Sequence, residues 1–212
     1  MKRKIINLVG GLFIIVGLLV VFGSLVLNIE QRAMQDVAIA EFREEIRNNE
    51  KPIDIVNDSE PIDTSDDETE DTIKLNDSRV PIEGEILCIL RIPCIESESP
   101  VREGVSQGVL ADSLGHEPGT AAVGEIGNCV IAGHRNYSFG KYFNRLDEVN
   151  IGDSIYIDTL DGTLSYEVTD IKVVEPSDIS VLDQTDEEVL TLYTCTPIYI
   201  GTHRLVITAK RT

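Results

Sequence analysis

The sequence predicts an all-β fold, a single closed barrel of about eight short strands with short helices, preceded by an N-terminal transmembrane helix. The barrel is predicted because short apolar runs alternate with Gly, Pro, Asn and Asp from residue 84 onward, and no long helical period appears there. Closing the strands into a barrel removes exposed sheet edges. The transmembrane helix is predicted because residues 5–27 carry no charge.

Residues 1–28 have the features of a cytoplasmic basic start followed by a membrane anchor. A helix rises about 1.5 Å per residue, so residues 5–27 are long enough to cross a hydrocarbon layer of about 30 Å. Lys2, Arg3 and Lys4 precede this run, and the positive-inside rule therefore places the N-terminus in the cytoplasm and the remainder outside. A cleaved signal peptide is the alternative, but its apolar region is typically shorter than this one.

Two segments connect the anchor to the barrel. Residues 29–50 suit a juxtamembrane helix, because apolar residues recur loosely among charges. Residues 51–80 suit an acidic disordered linker: residues 50–77 hold eleven acidic residues against two lysines, which is -9 of the net charge of -19. Such a composition buries too little apolar surface to offset the entropy of ordering. A calcium-binding or partner-docking tail is the alternative interpretation.

The barrel is assigned to residues 81–212. Its predicted strands are 85–92, 97–102, 119–123, 128–132, 153–158, 163–174, 189–194 and 203–211, and the most helix-like piece, 141–149, is short. The charge of -19 repels phosphate backbones, so nucleic-acid binding is not expected. Cys88 and Cys94 on one strand would lie about 20 Å apart, beyond disulfide reach. We therefore expect free thiols.

Three segments of the barrel domain carry residues suited to acyl transfer. His134 follows an apolar strand, Cys195 ends another, and Arg204 opens the next. Strand alternation sets Cys195 and Arg204 opposite the apolar faces of their strands, and a hairpin through 196–202 would make those strands neighbours. A thiolate attacks, an imidazole protonates the leaving amine, and a cation stabilises the oxyanion. Taken singly, each residue also has an ordinary structural explanation.

Together these segments resemble the sortase family of cysteine transpeptidases. The family signature is matched by Thr191-Leu192-Tyr193-Thr194-Cys195, with Ala132-Gly133-His134-Arg135 upstream and Arg204 nine positions after the cysteine. The resemblance covers residues 84–211. It includes Leu90-Arg91-Ile92-Pro93, Gly115-His116-Glu117-Pro118-Gly119-Thr120 and Gly124-Glu125-Ile126-Gly127-Asn128.

The resemblance implies a reaction and a cellular place. Cys195 would attack the Thr–Gly bond of a Leu-Pro-x-Thr-Gly-like sorting signal on surface proteins or pilins, and a cell-wall precursor or pilin lysine amine would resolve the thioester. His134 would protonate the leaving group, and Arg204 would hold the carbonyl oxygen or the substrate backbone. The enzyme would be single-pass on a Gram-positive-type membrane, with its catalytic domain extracytoplasmic. His116 and His203 receive no catalytic role, and packing is expected for Cys88, Cys94 and Cys129.

The subclass lies between the pilin-type class C and a class D/E-like group. The chain has no Asp-Pro lid motif and no Trp, unlike many pilus-building sortases, whereas its Thr194-Cys195-Thr196-Pro197 segment is similar to theirs. No cofactor is predicted. Some sortases bind calcium through acidic loop residues, but turn composition explains this loop equally well. The acidic residues in question are Glu175, Asp178, Asp183, Asp186, Glu187 and Glu188.

Two other functions remain open from the sequence. One is a cysteine endopeptidase, in which water resolves the same thioester; no local motif separates it from a transpeptidase. The other is an inactive membrane-tethered β-domain that binds peptides or partners. That hypothesis predicts that Cys195→Ala leaves function intact, whereas an enzyme loses its activity completely.

Overall fold

The computed structural model describes residues 2–49, 80–135 and 142–212, except for the side chains of residues 2–9, 27–28 and 30–32. Within these ranges a long N-terminal helix precedes a closed barrel with the strand order β1-β2-β3-β4-β7-β8-β6-β5. The predicted eight-stranded barrel with short helices is confirmed. Residues 51–79 of the predicted linker lie outside the described residues.

The elements follow one another in a simple order. The helices are α1 (Lys2–Asn49) and α2 (Gln107–Asp112), with short 3-10 helices at Pro93–Ile95, Leu146–Glu148 and Ile179–Leu182. The strands are β1 (Ile86–Ile92), β2 (Ser97–Glu103), β3 (Leu114–His116), β4 (Gly127–Ala132), β5 (Ser154–Thr159), β6 (Gly162–Val174), β7 (Glu188–Thr196) and β8 (His203–Arg211). Seven of these strands overlap the predicted ones.

The predicted third strand, residues 119–123, is wrong. A turn occupies its start: Thr120 donates from its backbone N and from its hydroxyl to Glu117 O, at 3.2 and 2.8 Å, and Gly119 has φ +86°. The true third strand, β3, has three residues, which is too short for a visible alternation of apolar and polar side chains. It pairs parallel with β2 and antiparallel with β4.

The interior of the barrel is filled by alternate residues of its strands, as strand parity predicts. Leu190 and Leu192 of β7 are fully buried in the core, and the inward residues of β8 join them. Each such aliphatic side chain contributes about 1.5–3 kcal/mol by leaving water. The other inward residues of the neighbouring strands include Cys88, Leu90, Ile92, Cys129, Ile131, Leu205, Ile207 and Ala209.

The helix α1 runs without a break through the predicted anchor and the predicted juxtamembrane segment. Its C-terminal half packs on the barrel: Ala38 and Phe42 are buried, and Gln35 Nε2 donates to Asp112 O at 3.2 Å. Arg43 forms an ion pair with Glu98 of β2. Within the described residues, no helix has a stretch of the length and apolarity that a membrane span requires.

All four cysteines are unpaired thiols. Cys88 and Cys129 are buried in the core, and burial raises the pKa of Cys129 to about 12 and that of Cys88 well above its usual value. Both are therefore poor nucleophiles. The packing prediction is wrong for Cys94, which is exposed because the 3-10 helix Pro93–Ile95 buries Ile95 instead.

Candidate active site

Two neighbouring strands, β7 and β8, and the segment that follows β4 carry the predicted catalytic residues at one end of the barrel. In the antiparallel β7–β8 ladder, Cys195 pairs directly with Arg204. In the parallel β4–β7 ladder, the last paired residues are Ala132 and Tyr193, and extending this register by two residues sets His134 beside Cys195. Adjacent strands lie about 4.8 Å apart, so the row of these three residues is about 10 Å across.

Hydrogen bonds on both sides of His134 hold this register. Before it, Gly133 N donates to Tyr193 O at 3.1 Å, and Thr194 Oγ1 donates to Gly133 O at 2.7 Å. After it, Arg135 Nη1 donates to Thr196 Oγ1 at 2.9 Å. The ends of β4 and β7 are thus tied together immediately before and after the histidine.

Gly133 allows the backbone before His134 to approach the core. A Cβ built at this position would lie 2.5 Å from Leu114 Cδ2 and 2.5 Å from Phe143 Cδ2. Both neighbours are fully buried side chains with little freedom to move. The glycine in the Ala-Gly-His sequence is therefore required by packing, and it fixes where His134 emerges.

Arg204 is held beside the cysteine by the β7–β8 loop. Its Nη1 donates to His203 O at 3.1 Å and to Gly201 O at 3.4 Å, and the side chain is partly buried. Gly201 has φ +68°, and a Cβ built there would lie 3.5 Å from Cys195 Cβ, so the loop packs against the Cys195 side chain. A cation and a nucleophile thus lie side by side on the outer face of the barrel.

The remaining two histidines lie outside this row. His116 is buried, with Nδ1 at 2.7 Å from Glu103 Oε2 and Nε2 at 2.9 Å from Ala121 O. His203 Nε2 lies 3.2 Å from Oε1 of Glu175, the first residue of the β6–β7 loop. Of the histidines, only His134 therefore neighbours Cys195 in the strand register.

The next row along the outer face consists of Ala132, Tyr193 and Val206. The Tyr193 hydroxyl donates to Glu117 Oε2 at 2.8 Å. Burial and this bond, with a small contribution from Cys195, raise the pKa of Tyr193 well above its usual value, against a lowering by Arg204. The sequence reasoning missed this pair, although Tyr193 has the same strand parity as Cys195.

A cavity of about 180 Å³ lies farther along the same face, under the β6–β7 loop. Asn128, which is 4% exposed, holds that loop: its Nδ2 donates to Val181 O and Asp183 O, both at 3.0 Å, and its Oδ1 accepts from Thr191 Oγ1 at 2.7 Å. The distance from Cys195 to Thr191 along β7 is four residues, or about 13 Å. The row and the cavity therefore form two ends of one groove.

Several acidic residues of the β6–β7 loop have partners other than a metal. Asp178 caps Ser180, whose hydroxyl and backbone hydrogen bonds lower the pKa of Asp178, and Glu187 pairs with Lys210. Glu188 accepts from the Tyr166 hydroxyl at 2.7 Å. No three His, Cys, Asp or Glu side chains converge as metal ligands in the part of the chain that the structure describes.

Comparisons with known proteins agree on one family. A model described as a sortase domain matches residues 90–212. Sortase D of Bacillus subtilis strain 168 is 33% identical over 145 residues, covering 66% of this chain and 71% of that protein.

Solved structures of sortases are also similar to this chain. Sortase C1 of GBS Pilus Island 1 aligns with a TM-score of 0.59 at 34% identity, covering 62% of this chain and 66% of that one. A Clostridium perfringens Sortase D5 transpeptidase aligns with a TM-score of 0.58 at 36% identity, covering 63% of this chain and 82% of that one. The chain thus spans just under two thirds of the pilus-island sortase chain.

Proposed function

Since this chain belongs to the sortase family, we propose that it is a cysteine transpeptidase that cleaves a Leu-Pro-x-Thr-Gly-like sorting signal between Thr and Gly and transfers the protein to an amine. The observation that carries the proposal is the direct pairing of Cys195 with Arg204, with His134 two residues past the end of the adjacent strand β4. A nucleophile, a proton donor and a cation in one row are the groups that acyl transfer needs.

The proposed reaction has two steps that balance. The Cys195 thiolate attacks the carbonyl carbon of the substrate Thr, and Arg204 stabilises the oxyanion. The C–N bond then breaks, the leaving Gly amine takes a proton from His134, and a thioester remains on Cys195. In the second step an acceptor amine attacks the thioester, the C–S bond breaks, and the proton of the amine passes to His134.

The groove supports a peptide substrate of this class. With the Thr carbonyl at Cys195, an extended peptide places its Leu three residues, or about 10 Å, farther along the groove. The cavity of about 180 Å³ lies in that direction, and Val181, Val189 and Val206 contribute its aliphatic lining. Ala132 and Tyr193 form the surface between Cys195 and this cavity. Surface proteins or pilins with such signals are the proposed substrates, and a cell-wall precursor or a pilin lysine is the proposed acceptor.

Residues 5–27 are proposed as a single-pass anchor with the N-terminus in the cytoplasm and the barrel outside, on a Gram-positive-type membrane. No helix of the described residues meets the length and apolarity of a membrane span, so the proposal rests on the uncharged sequence and on apolar side chains of α1 that lie exposed, such as Phe13 at 73% and Phe22 at 65%. Treating intact cells with protease is the test. Removal of the barrel from intact cells supports the topology, and protection of the barrel until lysis contradicts it.

The reaction is tested with the full chain in detergent, a Leu-Pro-x-Thr-Gly peptide library, and triglycine as acceptor. Peptide products ligated to triglycine, absent with Cys195→Ala, support transpeptidation. Cleaved products without ligation at any triglycine concentration support the endopeptidase alternative. Uncleaved peptides that bind the Cys195→Ala variant as tightly as the parent chain support the inactive binding domain.

A further inference from the structure

We propose that Arg135 is the positioning residue that holds the end of the His134 strand against the end of the Cys195 strand. Its kinetic consequences rest on the proposed function, whereas its structural role does not. The residue immediately follows His134, and its partner Thr196 immediately follows Cys195. The contact therefore lies one step beyond the catalytic pair.

The Arg135 guanidinium connects separate parts of the chain. Nη1 donates to Thr196 Oγ1 at 2.9 Å, and Nη2 pairs with Asp147 Oδ1 at 2.7 Å. The side chain is only 6% exposed, and burying such a charge is costly unless it is paired. A planar fork with several donors can serve two acceptors at once, which the compact ammonium of lysine does less well.

The contact is placed where it can affect the positions of His134 and Cys195. Successive strand residues point to opposite faces, so the side chain of Thr196 lies on the face of β7 opposite that of Cys195, and Arg135 contacts it there. The regular β4–β7 pairing ends at Ala132 and Tyr193. Beyond that point the strand ends are joined by the bonds of Gly133 and by Arg135, and Phe143 N donates to His134 O at 3.3 Å. Loss of the arginine therefore removes one of the contacts that hold the segment of His134.

Asp147 gives the arginine a fixed support. It belongs to the 3-10 helix Leu146–Glu148, whose Leu146 is fully buried in the core. The guanidinium therefore joins the β4 end and the β7 end to a segment anchored in the barrel. Misplacement of a catalytic group by about 1 Å can cost about 100-fold in rate, which is the expected order of the effect here.

The kinetic test compares Arg135→Met, Arg135→Lys and Thr196→Val with the control Arg91→Met. Arg91, on β1, pairs with Asp158 of β5 at 2.7 Å. Strand β1 lies four strands from β7 in either direction around the barrel. Arg135→Met is expected to lower kcat roughly 10- to 100-fold with KM within about twofold, and Arg135→Lys to recover part of the loss. The control is expected to keep both constants. Unchanged kcat in Arg135→Met overturns the proposal.

A second measurement needs no substrate. In a Cys94→Ser, His134→Cys chain, mild oxidation is expected to join positions 134 and 195, because a disulfide needs Cα atoms about 4.4–6.8 Å apart. Adding Arg135→Met is expected to loosen the strand ends and so to slow this cross-link about tenfold or more, in line with the expected loss of kcat. Adding Arg91→Met is expected to leave it unchanged. Equal slowing by both, or by neither, overturns the proposal.

The two measurements separate this proposal from the proposed function. If the parent chain acts on no sorting peptide while Arg135→Met still slows the cross-link selectively, the positioning role stands and the proposed function fails. If the parent chain is active while the cross-link rate is indifferent to Arg135, the positioning role fails and the proposed function stands.

Discussion

Cys195 and Arg204 are nine residues apart in the chain but directly opposite each other in the β7–β8 ladder. The hairpin loop, which carries Gly201 near the Cys195 side chain, makes this pairing compact. Because opposite residues of an antiparallel pair have Cα atoms about 4.5–5.5 Å apart, the guanidinium is within reach of the oxygen of a carbonyl group whose carbon the thiolate attacks. The proposed role of Arg204 rests on this relationship and is open to direct test.

Arg204→Lys is expected to lower kcat/KM about 100- to 1000-fold, the usual loss when one oxyanion-stabilising donor is removed, with the fold unchanged. Steady-state cleavage of a sorting peptide measures it. Arg211→Lys, on the same strand but paired with Glu188 outside the row, is the matched control. Equal kinetic constants for both variants would contradict the assigned role.

Gly133→Ala is expected to lower both stability and activity. The added methyl would lie 2.5 Å from buried carbons of Leu114 and Phe143, and such overpacking costs about 1–3 kcal/mol and shifts the backbone that presents His134. Urea unfolding and peptide cleavage measure the two effects. Gly108→Ala is the control, since its Cβ would meet only Ser106 Oγ at 3.8 Å, an ordinary contact. A fully stable, active Gly133→Ala chain would show that the core can relax around the methyl group.

Asn128→Ala is expected to raise KM for the sorting peptide about tenfold with little change in kcat. The substitution removes the amide that holds Val181 O and Asp183 O, and with them the wall of the cavity. Leaving the buried Thr191 hydroxyl without its acceptor also costs about 1–3 kcal/mol of stability. Asn150→Ala, at an exposed position, is the control. A loss confined to kcat would place Asn128 in the chemistry rather than in the binding of the peptide.

Asp158→Asn is expected to flatten the fall in stability at acid pH. Burial raises the pKa of Asp158. Hydrogen bonds from Arg91 and Thr163, together with nearby positive charge, lower the pKa by more than burial raises it, so the net shift is downward. The carboxylate therefore contributes stability above its unfolded pKa of about 3.9, and this is lost as pH falls through the lower folded value. Urea unfolding between about pH 2 and 6 measures the change. An identical pH dependence in the two chains would exclude this contribution.

The strands with several alternating residues were predictable because period two is visible over six or more positions. Strand β3 was not, because three residues carry no period and Gly119 begins a turn where the prediction put a strand. The placement of Cys195 opposite the apolar face followed from parity alone. Its pairing with Arg204 followed from the short hairpin.

The contacts that link distant segments were not predictable. Arg135 meets Thr196 across 61 residues, and Tyr193 meets Glu117 across 76. Such pairs depend on the parallel β4–β7 register, which no turn between those strands determines, and on side-chain direction. Exposure of Cys94 was missed because it lies in a 3-10 helix between two predicted strands, where strand alternation gives no side-chain direction.

The most direct test of the central claim is the mass of the intact full chain, trapped within one turnover of a sorting peptide and then exposed to triglycine. The account predicts a thioacyl adduct on Cys195, absent with Cys195→Ala, that disappears as the triglycine-ligated peptide forms. A folded chain with a free Cys195 thiol that gains no adduct from any peptide in the library would contradict it.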